Sequence, residues 1–393
     1  VTKKTLLVVF SLLLYLFGHL ALFWKLEPII GFFYVTSWWS YIILLDSIVS
    51  SRSGKPVVLN RTLPACIIIS CGFWCFFELI NLRLENWFYI NVPYSTSLRY
   101  AGYLLAYGTV IPAIILTAAA VQPLFASLKA PSLAIPRYSS RAISLGIILF
   151  LSTIIFPKYL FALAWAFAIP LIDGINYRAG FRSFMAELER GDIRRFCAAL
   201  LSGLICGILW ETWNSLSPVK WIYTVPFFEQ MKVFEMPLPG YIGFLVFGVE
   251  TVAFADLLQG LRQKRTAFKY AVCGALVVSA ISFVFIDRYT VFSQTTPISN
   301  LSFLTVNSKE MLIASGVRTN LSVDPGLLKP FEKEAIELVN LKGLGYENYM
   351  KLVRYGITGV RGLANLDETT LSHALGEKDL LRVRVYLAAA QIY

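Results

Sequence analysis

Two glutamate–asparagine pairs, Glu78 with Asn81 and Glu211 with Asn214, place polar chemistry near the ends of apolar stretches. Each pair is spaced i, i+3, so on a helix its two side chains share one face. A charge at the bilayer centre costs on the order of 2.5–3.5 kcal/mol on insertion scales, so such groups face a bundle interior or a watery cavity. There the pairs could form a protonatable site or hold a hard cation through oxygen. The structural alternative is that each asparagine hydrogen-bonds its glutamate and locks helices together, with nearby Trp-x-Tyr sequences as interfacial anchors. Glu250 is a fifth candidate for the same intramembrane polar site, beside the loop that carries Glu235, Pro237 and Pro239. Asp46, Arg52, Asp173 and Arg178 read as helix-end charged groups, each aspartate expected to pair with its nearby arginine.

The elements that must position these groups repeat. The stretches 71–93, CGFWCFFELINLRLENWFYINVP, and 206–226, CGILWETWNSLSPVKWIYTVP, align, within one residue of slippage from the glutamates onward and two at their shared Cys-Gly start. The alignment matches Glu78 with Glu211, Asn81 with Asn214, Trp87 with Trp221, Tyr89 with Tyr223 and Pro93 with Pro226. In the preceding segments Trp38 and Asp46 match Trp165 and Asp173, and Arg52-x-Gly54 matches Arg178-x-Gly180. Gly108 stands opposite Gly248, but Glu250 faces Val110, so it has no carboxylate counterpart.

A chain that is 57% hydrophobic with a mean hydropathy of +0.64 is too apolar for a soluble domain. Its runs predict about nine transmembrane helices, over 5–24, 28–49, 63–82, 100–122, 142–157, 159–176, 196–216, 240–259 and 268–286. The expected fold is an all-α polytopic membrane protein. It divides into membrane repeat 1 (1–122), a linker (123–141), membrane repeat 2 (142–260), a ninth helix (261–288), a linker or small subdomain (289–330) and a small helical domain (331–393). With four spans in each unit, the repeats are parallel and their pseudo-axis follows the membrane normal. Lys and Arg concentrate on alternate loops, which predicts an inside N-terminus and an outside C-terminus in a cytoplasmic membrane of bacterial or archaeal type.

Familiar enzyme signatures are absent: the chain contains no GxSxG elbow, HExxH, Walker sequence or dinucleotide fingerprint. Two histidines, His19 and His373, are too few and too scattered for an imidazole-built zinc or bis-histidine haem site, and the six cysteines form no CxxC pair. No metal is expected, and the sequence names no cofactor.

In the tail, AIELVNLKGLGYENYMKLVRYGITGVRGLANLDETTLSHAL places a helix before Gly343, Leu344 and Gly345, a second helix after them, and a Gly356-Ile357-Thr358 turn before a third. This resembles a helix-hairpin-helix module, and the resemblance implies backbone amides in the hairpin offered to nucleic acid or to a protein. Residues 289–393 hold eleven Lys/Arg against ten Asp/Glu, without the basic footprint that nucleic acid requires. Nucleic acid is therefore an unexpected partner, and Gly343, Leu344 and Gly345 read as a partner-binding hairpin. The expected partners are membrane lipids and a protein or membrane complex.

Two functions remain open. One is a non-enzymatic membrane subunit or scaffold whose extracytoplasmic C-terminal module contacts a protein. The other is a transporter, or a membrane enzyme for a lipid-soluble substrate, with its polar site at the repeat interface.

Overall fold

A computed structural model describes residues 3–227 and 231–393. Among these residues, eight helices are long and apolar enough to cross a bilayer, and a pair bent by 43° makes a ninth if counted as one span. The first half contains α1 (Lys3–Phe23), α2 (Phe33–Ser53), α3 (Leu63–Leu84), β1 (Trp87–Ile90), α4 (Thr96–Tyr107) and α5 (Val110–Val121). The second contains α6 (Tyr138–Ile155), α7 (Pro157–Leu160), α8 (Ala168–Ala179), α9 (Phe184–Leu188), α10 (Arg194–Leu216) and β2 (Lys220–Tyr223), then β3 (Lys232–Val233), β4 (Met236–Pro237) and α11 (Gly240–Arg262). After α12 (Arg265–Phe285) come α13 (Val306–Ala314), α14 (Pro330–Asn340), α15 (Tyr346–Val353), α16 (Val360–Ala364), α17 (Glu368–Leu375) and α18 (Leu380–Ile392). The described residues are all-α apart from two short antiparallel ribbons and a few isolated bridges.

Two predicted spans are interrupted, and the interruptions have local causes. The fourth breaks between α4 and α5, where Ser70 of α3 accepts from the Ile111 amide (3.0 Å) and donates to the Tyr107 carbonyl (2.7 Å). One hydroxyl thus satisfies a donor and an acceptor beside the break, which apolar surroundings require. The sixth runs through α7, a 3-10 turn (Phe161–Trp165) and α8.

Both α2 and α8 end on a left-handed glycine, Gly54 (φ +79°) and Gly180 (φ +68°), which turns the chain back toward its helix. The returning amides find the two aspartates. Asp46 accepts from Val57 (2.7 Å), Val58 (3.1 Å) and Leu59 (3.1 Å). Asp173 accepts from Phe184 (2.6 Å) and Met185 (3.1 Å), and also from the Tyr138 hydroxyl (2.8 Å). The expected aspartate–arginine pairs do not form. Arg52 instead reaches the Ala120 carbonyl and Arg178 the Ser140 hydroxyl, each at 3.3 Å. Val58, Phe184 and Met185 are buried, so their amides need an acceptor, whereas the exposed guanidinium groups can be served by water.

Lys4 donates to the Ser50 carbonyl near the end of α2 (3.2 Å), while Thr319 of the tail donates to Glu27 from its amide (3.1 Å) and its hydroxyl (3.0 Å) at the start of α2. The N-terminus and tail therefore lie at opposite ends of the bundle.

The strands β1 and β2 pair antiparallel, with Trp87 opposite Tyr223 and Tyr89 opposite Trp221. Successive side chains alternate between the ribbon's faces. Phe88, Ile90 and Ile222 enter the tail's core with Leu344, Leu352 and Tyr386, while Trp87, Tyr89 and Tyr223 pack toward the bundle. The tail is thus seated on the ribbon.

The hairpin expected to bind a partner is part of this seat. Gly343, Leu344 and Gly345 are buried, Ser293 donates to the Gly343 carbonyl (2.6 Å), and a Cβ on Gly343 (φ +65°) would lie 2.6 Å from Ile90. Residues 289–330 are also more than a connector: Ile298, Leu301, Leu304 and Leu312 are buried together with Ile336 of α14. The linker 123–141 is anchored as well, through Ala130 and Leu133 amides to the Gly191 (3.0 Å) and Leu188 (3.1 Å) carbonyls.

Candidate functional site: an aromatic chamber beneath the ribbon

Each Glu-Asn pair is completed by the strand that follows it. Asn81 donates to the Trp87 carbonyl (2.9 Å) and accepts from the Asn86 (2.8 Å) and Trp87 (3.3 Å) amides. Asn214 does the same for Trp221, donating to its carbonyl at 3.0 Å and accepting from its amide at 3.1 Å. The asparagines therefore latch the strands to α3 and α10, and neither bonds its neighbouring glutamate as the structural alternative expected. Tyr89 donates to Glu78 (2.5 Å) and Tyr223 to Glu211 (3.0 Å), so the glutamates repeat their contacts too.

The two carboxyls differ in what else reaches them. Glu78 also accepts from the indole N–H groups of Trp74 (2.7 Å) and Trp87 (3.2 Å). Trp74 lies four residues before Glu78 on the same face of α3, a spacing visible in the sequence but not used there. Glu211 accepts from the Tyr223 hydroxyl, with the Glu235 and Met236 backbone also directed at it; its Oε2 makes no close hydrogen bond, nor does the buried indole N–H of Trp221. No ion pair involves either glutamate among the described residues. Burial, and then the adjacent Glu78 carboxyl, hold the Tyr89 phenol well above its ordinary range, so it remains a donor. Its partner Tyr107 donates to it in turn (3.0 Å).

These donors form one wall of a cavity of about 510 Å³. The ribbon closes it from above, α4 and α11 flank it, and Trp74, Trp165, Trp210, Tyr107 and Phe247 line it further in. Trp74 has Trp87, Trp165 and Trp210 around it with ring centroids 6.2, 6.3 and 6.4 Å away. Met236 and Pro237 close the side near the β3–β4 ribbon, so this loop is a cap over the chamber.

Two cations at the rim are already engaged. Arg99 is 5% exposed and binds Asp287 at 2.6 Å, while its other terminal nitrogen donates to the Pro93 (2.7 Å) and Tyr94 (3.1 Å) carbonyls. Lys220 reaches the Ser215 carbonyl (3.1 Å) and Glu235 (3.5 Å), and Lys342 of the tail meets the same Glu235 oxygen at 3.1 Å. Desolvation pushes the pKa of Lys220 down, with Glu235 opposing it.

Glu250 is not brought to this site. It is fully buried one turn beyond Phe247, both oxygens lack hydrogen-bond partners, and it does not line the chamber. Asp256 serves the arginine-rich end of the bundle, where Arg195 bridges it to Glu187 (2.7 Å). Among the described residues, no three His, Cys, Asp or Glu side chains are grouped to hold a metal ion. Comparison with known protein families, with characterised proteins and with solved structures finds no match.

Proposed function

We propose that this protein binds a lipid-soluble molecule in the chamber, as a transporter or a membrane enzyme. One observation carries the reading: an apolar, aromatic cavity of about 510 Å³ lies at the meeting of two equivalent stretches, within the 300–1,000 Å³ range typical of small-molecule sites. We read the chain as two parallel four-helix repeats, 1–122 and 142–260, followed by a ninth helix. The reciprocal ribbon register and the matched asparagine, tyrosine and aspartate contacts support this division.

With lysine and arginine on the cytoplasmic side, the N-terminus is inside and the tail outside a bacterial or archaeal cytoplasmic membrane. The tail acts as a helix-hairpin-helix-like lid held by its own ribbon. Its inward hairpin gives no support to protein docking through Gly343, Leu344 and Gly345, so the scaffold reading ranks second.

The test fills the chamber without disturbing its walls. A Cβ on Gly243, which lines the chamber, would come no nearer than 3.9 Å to any neighbour, here Trp165. Wild-type protein purified in mild detergent should carry a compound enriched over bulk membrane lipid, detected by mass spectrometry of its extract. Gly243→Leu should lose that compound while keeping its elution profile and unfolding transition. Equal retention by a folded Gly243→Leu, or no enriched compound in the wild type, would overturn the proposal.

A further inference from the structure

We infer that the chamber selects an organic cation, an ammonium group carrying an apolar body, over a neutral or anionic lipid. This rests on the chamber being a ligand site and adds the charge of its ligand. An aromatic ring has a negative face and a positive edge, and cations are recognised by faces. Here the polar hydrogens of three lining rings are tied back: Trp74 (2.7 Å), Trp87 (3.2 Å) and Tyr89 (2.5 Å) all donate to Glu78. Donation to a carboxyl oxygen turns each polar edge away from the cavity and increases electron density on the ring it leaves behind.

The two cations at the rim are already engaged, which disfavours an anionic ligand. Arg99 spends its donors on Asp287, Pro93, Tyr94 and Thr96, and Lys220 is held by Ser215 and Glu235. An anionic headgroup would therefore have to break existing bonds to find a cationic partner. Glu78 and Glu211, behind the walls, have no cation paired with them. A quaternary ammonium needs no hydrogen-bond acceptor, and the chamber surrounds it with aromatic rings, three of which donate to a carboxyl behind them. A hydrocarbon of the same shape would gain only burial.

The full chain in lipid nanodiscs can be tested with radiolabelled decyltrimethylammonium, using empty nanodiscs as the blank. Its uncharged isostere 2,2-dimethyldodecane serves as the competitor. Saturable binding is expected, with the isostere competing at least about tenfold less well, the scale of one desolvated cation–π contact. Trp165→Leu and Glu78→Gln should each weaken binding of the ammonium about tenfold and leave the isostere's affinity within about twofold. Equal competition by the isostere would overturn cation selection while leaving a ligand chamber in place. Absence of saturable binding of either probe would overturn both readings, and two folded variants that bind the ammonium like wild type would overturn the assigned walls.

Discussion

Replacing Asn81 by alanine should release β1 from α3. Asn81 is fully buried and makes three hydrogen bonds, at 2.9, 2.8 and 3.3 Å, so its loss strands one carbonyl and two amides. Each buried unsatisfied polar group costs about 1–3 kcal/mol. Water entering at the loop relieves part of this, leaving a loss of about 3 kcal/mol. Asn214→Ala removes two bonds, at 3.0 and 3.1 Å, and by the same count costs about 2 kcal/mol. The two effects should not add. Both asparagines hold the same ribbon, so once one strand is released the other's latch has less to hold. The double variant should lose about 3–4 kcal/mol rather than the sum of about 5. Reversible unfolding in mixed micelles, titrated with a denaturing detergent and followed by tryptophan fluorescence, measures all three. Losses below about 0.5 kcal/mol in either single variant, or strict additivity in the double, would refute the latch argument.

Other hydrogen-bonded groups give further outcomes. Asp46→Asn and Asp173→Asn turn an amide donor toward backbone amides, and each should cost about 1–3 kcal/mol. Arg52→Ala and Arg178→Ala should stay within about 0.5 kcal/mol in the same assay, because each arginine makes one exposed contact. Arginine variants as damaging as the aspartate variants would restore the ion-pair reading. In the tail, burial raises the pKa of Glu332, but hydrogen bonds from the Thr305 amide (2.7 Å), the Ser308 hydroxyl (2.9 Å) and the Lys329 amide (3.1 Å) outweigh it and leave the pKa lowered from 4.5. A lowered folded-state pKa gives stability that is present above the unfolded value and lost as pH falls through the folded one. Limited proteolysis should therefore open the tail as pH drops below the ordinary glutamate range, and Glu332→Gln should flatten that dependence. An unchanged pH profile in the variant would exclude Glu332 as the source.

The spacing of the Glu-Asn pairs, the matched stretches and the approximate spans were legible because they are side-chain patterns at fixed intervals. The partners of Asp46 and Asp173 were not. Apart from the Tyr138 hydroxyl on Asp173, they are main-chain amides eleven to thirteen residues onward, and a sequence displays no main-chain hydrogen-bond needs at such a distance. Pairing β1 with β2 joins residues more than a hundred positions apart, and two strands of four residues carry little periodic signal. The inward turn of Gly343 was hidden for a related reason. Hairpin glycines indicate close backbone approach, but Ile90 and Ser293, the residues approached, are set by how the tail folds back. The chamber was hidden for the same reason, since its roof is the ribbon on which the tail is seated.

On the proposed division into two repeats, the matched contacts frame the site, and the departures from the match distinguish its two sides. In the alignment of Glu78 with Glu211, Trp74 stands opposite Gly207, where a Cβ would lie only 2.2 Å from the Phe244 ring. The second copy therefore admits a phenylalanine from α11 where the first places an indole N–H on its carboxyl. Trp87 reaches Glu78, but its counterpart Trp221 leaves its N–H without a partner, as Glu211 leaves Oε2. One copy is a saturated node that orients three rings, and the other retains an unspent donor and an unspent acceptor. Under the proposed ligand-binding function, two equivalent nodes would suit two equivalent ligands, whereas one chamber roofed by both strands, with nodes this unequal, suits a single ligand bound in one orientation.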